Sequence, residues 1–107
     1  EALGDFGGAV REYEKALGID PSDGVIHNNL GVGYLHWGRP AQAVRHFEEA
    51  LRWNENDLMA LQNLAVFHLQ SGDRRQAEIF LRKILEKDPQ SGFAGTNLEK
   101  LSSAPVE

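Results

Sequence analysis

The sequence predicts an all-α fold, an α-solenoid of stacked antiparallel helix pairs, about three units long with the first incomplete. Three observations carry this reading: a repeat of fixed period, a two-helix hydrophobic pattern inside each period, and turn-forming residues at the same places in every unit. Gly4, Gly38 and Gly72 are spaced by 34 residues, and Ala9, Ala43 and Ala77 keep the same interval. The series Tyr13, Phe47, Leu81, then Leu17, Leu51, Leu85, then Leu30, Leu64, Leu98 stay in phase. Pro21 and Pro89 stand two periods apart, with Glu55 between them, where a proline would only have stiffened the turn.

Six helices follow from this pattern, near residues 5–18, 24–37, 40–53, 57–71, 73–87 and 91–102. Asp5 supplies a capping carboxylate for the first. Asp20-Pro21-Ser22-Asp23 forms the turn and cap before the second, and Gly38 ends that helix. Pro40 suits the first position of the third helix, where no backbone N–H is needed. Its residues Ala43, Val44, Phe47, Ala50 and Leu51 make one stripe of a 3.6-residue helix, with Arg45–Glu49 and Glu48–Arg52 as exposed i,i+4 pairs opposite. Asn54-Glu55-Asn56-Asp57 opens the fourth, which Gly72 closes; Asp73 caps the fifth, which carries a Glu78–Arg82 pair. Asp88-Pro89-Gln90-Ser91 precedes the sixth, where Phe93, Ala94, Leu98 and Leu101 form an apolar face that closes the array as a capping helix. Residues from Ser102 onward read as a fraying tail. The expected organisation is a single domain, 1–107, with a partial repeat at 1–23, repeats at 24–57 and 58–91, and the cap and tail at 92–107.

Composition narrows the function classes. With 41% hydrophobic and 25% charged residues the chain is an ordinary globular one, and no apolar run reaches the roughly 18 residues of a membrane span. A net charge of −5 with scattered Lys and Arg gives no basic stripe to neutralise phosphates, so nucleic acid is not an expected partner. No cysteine is present, which removes disulfides and thiolate chemistry and leaves the compartment undetermined, the cytoplasm being the default. His27, His36, His46 and His68 lack metal-pair spacing and read as packing or surface residues; the serines sit at helix junctions, and no phosphate loop appears. No enzyme activity, metal or cofactor is expected within these residues.

The middle unit, with Leu30-Gly31, Tyr34, Gly38, Ala43, Phe47 and Ala50, resembles the tetratricopeptide repeat, and the in-phase series extend the resemblance over essentially the whole chain. Departures from the family pattern are His27 and Leu61 at a common tryptophan position, His68 at the tyrosine and Ile84 at an alanine. The resemblance implies a right-handed α-solenoid in which the first helix of each unit lines a concave wall, and a partner that is a protein or peptide.

On that wall one asparagine recurs per unit: Asn29, Asn63 and Asn97. A carboxamide offers a donor and an acceptor, so it can grip a peptide unit without reading its side chain. The series resembles the asparagine ladder of O-linked N-acetylglucosamine transferases; the competing role is local helix packing. The neighbouring wall positions are Val25, Met59 and Phe93, then Val32 and Val66, then Leu35 and Leu69, with His36 and Gln70 beside them. The family's clamp for acidic chaperone tails needs Lys or Arg where this chain has Met59, Val32 and Asn63, so it is disfavoured. The expected function is a peptide-binding adaptor. Its alternatives are a self-assembling scaffold, pairing through Phe6 and Val10 on the helix that lacks a hairpin partner, and a substrate-recruiting arm of a larger enzyme.

Overall fold

The computed structural model describes residues 6–103, and of Phe6 only the backbone. Six helices and no strand occupy the described residues: α1 (Phe6–Ile19), α2 (Gly24–His36), α3 (Pro40–Trp53), α4 (Leu58–Ser71), α5 (Arg74–Lys87) and α6 (Gly92–Ser103). The all-α class expected from the period is the one observed, and each boundary lies within one residue of its expected place. Glu1–Leu3, Gly4, the Asp5 cap, the Phe6 side chain and residues 104–107 lie outside what is described. The chain divides into two compact units, the first ending at Ala60 and the second beginning at Leu61.

Helix ends follow the chemistry of the turns. Asp23 accepts a hydrogen bond from the Ile26 N–H at 3.2 Å, Asp57 from Ala60 at 3.0 Å, Asp73 from Gln76 at 3.1 Å and Ser91 from Ala94 at 3.1 Å. Each satisfies a donor that has no partner inside its helix. Gly38 and Gly72 adopt φ of 76° and 80°. There the Arg39 N–H donates to Tyr34 O and that of Asp73 to His68 O, at 2.8 and 2.9 Å, closing α2 and α4 with the same six-residue loop. In the turn after α1, Ser22 donates both its N–H and its O–H to Asp20, and these bonds hold that carboxyl below its usual range.

In the first unit, α2 packs most extensively against α3 and also contacts α1. The α2–α3 crossing is closest at Gly31, where a Cβ would lie 2.3 Å from Phe47 Cε1. Phe47, Leu30, Ala43 and Ala50 are fully buried there. Val10, expected to lack cover, is only 2% exposed and sits against Gly33, so α1 lays this residue onto α2 instead of leaving it for another chain. In the second unit Leu61, Leu64, Ala65, Ala77 and Leu81 form the core, with Ile84 and Ala94 also buried. At the places equivalent to Gly31 and Phe47 this unit has Ala65 and Leu81. One methyl is added on one position and a ring is reduced to an isobutyl group on the other.

Two details differ from expectation. Ser102 and Ser103 belong to α6, not to a tail, and Arg74 of α5 donates to the Leu101 carbonyl near the end of that helix. Glu49 pairs with Arg52 at 2.9 Å, three residues on, in place of the Arg45–Glu49 and Glu48–Arg52 pairs; Glu78–Arg82 forms as expected at 2.8 Å. Exposed pairs contribute under about 1 kcal/mol, so little energy separates one choice of partner from the other.

The crossing gives a quantitative expectation. Gly31→Ala should lower stability by about 3 kcal/mol, because the added methyl enters the space of the Phe47 ring. Adding Phe47→Leu, which reproduces the pairing of the second unit, should recover part of that loss. Urea unfolding of the two single variants and the double variant measures the coupling; strict additivity would show that the contact does not set the helix approach.

Candidate functional site

The residue types available for recognition are set by α2 and α4. Neither helix contains an Asp, Glu, Lys or Arg, and all eleven Lys and Arg lie on other helices or in the turn at Arg39. An uncharged helix normally has both faces covered. Here one face is covered and the other leaves large apolar side chains in solvent.

In the first unit that open face begins at Val25, which is 68% exposed, and continues through Val32 and Leu35, about two and then nearly three turns along α2. His36 is exposed at the end of the helix. Asn29 lies half-buried one turn after Val25, and its carboxamide has no hydrogen-bond partner among the described residues. Met59, 60% exposed, stands at the start of α4 beside the exposed Leu58.

The second turn of α2 and the cap of α4 are held together by a residue that the periodicity did not single out. Asn28 is 3% exposed, and its amide donates to Asp57 Oδ2 at 2.9 Å while Asp57 Oδ1 caps α4. Gly24 permits the approach: a Cβ there would lie 3.3 Å from the same carboxylate oxygen. The Asn28 Oδ1 is buried with no partner. A search by period passes over Asn28, because only Asn29 of the Asn28-Asn29 doublet recurs; the doublet itself was the available signal. The strut places Val25, Asn29 and Met59 on neighbouring turns of one unit.

In the second unit Asn63, Val66 and Leu69 are half-buried along α4 and Gln70 is exposed. Asn63, like Asn29, has a side chain without a partner among the described residues. Phe93 and Asn97 are half-buried on α6, but Asn97 donates its amide to the Phe93 carbonyl at 2.8 Å. Two of the three asparagines thus offer complete carboxamides, and the third has its donor occupied within its own helix.

The arrangement can accept apolar side chains and form a few directed hydrogen bonds to a backbone. Among the described residues no group of three His, Asp or Glu is placed to hold a metal ion, and no helix is long and apolar enough to cross a membrane.

Known proteins place the architecture. Residues 34–95 match a family model of the tetratricopeptide repeat, and residues 1–23 match a second model of that repeat. No protein of curated function matches the chain. Among solved structures, the first TPR domain of human RPAP3 is 22% identical, with a TM-score of 0.80 over 92% of this chain and 78% of that one. The first TPR of Spaghetti (RPAP3), bound to the HSP90 peptide SRMEEVD, is 22% identical with a TM-score of 0.81, covering 92% of this chain and 80% of that one. The Arabidopsis OM64 TPR domain is 17% identical, with a TM-score of 0.81 over 92% and 81% of the two chains. With a family model spanning more than half of its length and the same helical architecture, the chain belongs to the tetratricopeptide repeat family.

Proposed function

We propose that this chain is a protein-interaction module that binds a weakly charged, apolar segment of a partner protein. Val25, Val32, Leu35 and Met59 of the first unit would take its aliphatic side chains, and Asn29 would grip its backbone. In the second unit Val66 and Leu69 would serve as the apolar contacts and Asn63 as the grip, with Phe93, Asn97 and Gln70 at the margins; His36 would stand at the margin of the first unit's face. The single observation that carries this reading is the exposed apolar face of α2, on a helix without a charged residue, with an unpartnered asparagine set into it. Contiguous exposed apolar surface marks a place where another molecule binds.

The lack of Lys and Arg on α2 and α4 supports an apolar ligand over an acidic one. One of them is bound to SRMEEVD, a peptide with two glutamates and a C-terminal aspartate. The positive charge needed to hold such a tail is absent from α2 and from α4.

Selection from a displayed random-peptide library on the full chain should enrich aliphatic, glutamate-poor sequences, while SRMEEVD should bind far more weakly than the selected peptides. Each carboxamide contributes about 1 kcal/mol to a peptide grip, so Asn29→Ala and Asn63→Ala should each weaken binding about fivefold. Calorimetric titration of the selected peptide checks this. An unchanged dissociation constant in the double variant overturns the asparagine grip, and preferential binding of SRMEEVD overturns the apolar reading.

A further inference from the structure

The first unit contains a pair of imidazoles that the binding face does not use. His27 of α2 and His46 of α3 bring their Nδ1 atoms to 3.1 Å, and His27 Nε2 lies 2.8 Å from the Pro21 carbonyl oxygen. A carbonyl only accepts, so His27 Nε2 carries a proton. In a neutral ring the other nitrogen is then an acceptor, and the hydrogen between the two Nδ1 atoms belongs to His46. This bonded chain links α3 through α2 to the turn after α1. The His46 ring also stacks on Tyr34, with centroids 5.5 Å apart, and the Tyr34 hydroxyl donates to Glu14 of α1 at 2.7 Å.

We propose that the His27–His46 pair is an acid-sensitive latch: it ties α1, α2 and α3 together near neutral pH and releases them when both rings become protonated. One extra proton is tolerated, because His46 can take it on Nε2 and still donate from Nδ1. A second must enter at His27 Nδ1, where it sets two N–H groups head to head and places a second charge on a ring that is 5% exposed.

The charges around the pair come from every element packed on it. Burial is the main influence that lowers His46 from the ordinary histidine value of 6.5, and His27 and Arg45 act in the same direction. Glu14 on α1 and Glu49 on α3 act the other way. Tyr34 faces the ring as a neutral phenol, its own ionisation pushed up first by burial and then by Glu14. Asp23 near His27 is engaged in capping α2. The unfolded chain takes up a proton near pH 6.5 that the folded His46 resists, so stability is present above that value and is lost as pH falls below it.

The second unit is an internal control. The positions equivalent to His27 and His46 are Leu61 and Phe80, one period on. The stack survives the exchange, with His68 and Phe80 centroids 5.6 Å apart and nearly parallel, but no imidazole pair remains. His68 has the Asp73 carboxylate at 3.9 Å as its charged neighbour. The imidazole pair is therefore confined, among the described residues, to the first unit.

Both tryptophans, Trp37 and Trp53, lie in the first unit, so tryptophan fluorescence of the full chain reports on it alone. Urea unfolding followed by fluorescence should show the folding equilibrium constant falling below pH 6.5 by about tenfold per pH unit for each proton withheld. In the His27→Leu, His46→Phe double variant, which copies the second unit, that dependence should flatten. Proton NMR titration of the wild-type chain should find His46 protonating at lower pH than in denaturing urea. This measurement does not depend on the variant folding. Titration of His46 at the unfolded-chain pH overturns the latch, as does an undiminished pH dependence in a folded double variant.

Discussion

The closeness of the α2–α3 crossing is the constraint on which the first unit depends. With no Cβ at Gly31, the Phe47 ring can lie almost against the α2 backbone, and this depth of approach removes Leu30, Ala43 and Ala50 from solvent. Dense packing makes such a contact sensitive to single methyl groups. The same demand is met in the second unit with Ala65 and Leu81, a different division of similar volume. What recurs between repeats is therefore a sum of sizes across the crossing more than the identity of either residue. That sum lets the repeats diverge in sequence while their helices stay paired.

Once the crossing has fixed which face of α2 is covered, the opposite face is left in solvent. Charges are distributed accordingly: α1, α3 and α5 carry Arg and Glu, α1 and α5 also Lys, and α2 and α4 carry no charged residue of these types. A solvent-facing helix side without charge gives up hydration that a lysine or glutamate would have provided, and a bound apolar segment would restore cover. The Asn28–Asp57 strut belongs to the same design. It joins a mid-helix amide to a helix cap, so that the bond that positions the exposed apolar residues at the start of α4 also satisfies that helix's first turn.

The aromatic stack beside the crossing shows how repeats exchange chemistry at constant geometry. Tyr34 on His46 and His68 on Phe80 occupy equivalent places with interplanar angles of 9° and 5°. Histidine has moved from one member of the pair to the other. Only in the first unit does a second histidine, His27, reach the stack, and there a hydrogen-bonded chain runs from His46 through His27 to Pro21, while Tyr34 on the other side of the stack donates to Glu14. Ring stacking is indifferent to this substitution, whereas proton binding is not.

Helix number, helix limits and the paired-helix class were legible in the sequence, because turn residues, glycine stops and apolar spacing are local or strictly periodic signals. Gly38, Gly72, Asp73 and Pro40 act where the sequence placed them, since each does its work within its own turn. The asparagine series was legible as a series, but whether each carboxamide is available was not. Asn97 turns back on Phe93, while Asn29 and Asn63 do not, a choice made by side-chain rotation. Val10 was misjudged for a related reason: its cover comes from α2, which lies more than a full turn sequence away, and not from a hairpin partner. The Asn28 strut and the His27–His46 contact join residues 29 and 19 positions apart that share no period. The sequence by itself determined the elements and their pairing through repetition. The tertiary structure alone decided which polar groups meet, because those contacts depend on the distance between helices, and that distance is set by the packing of their buried faces.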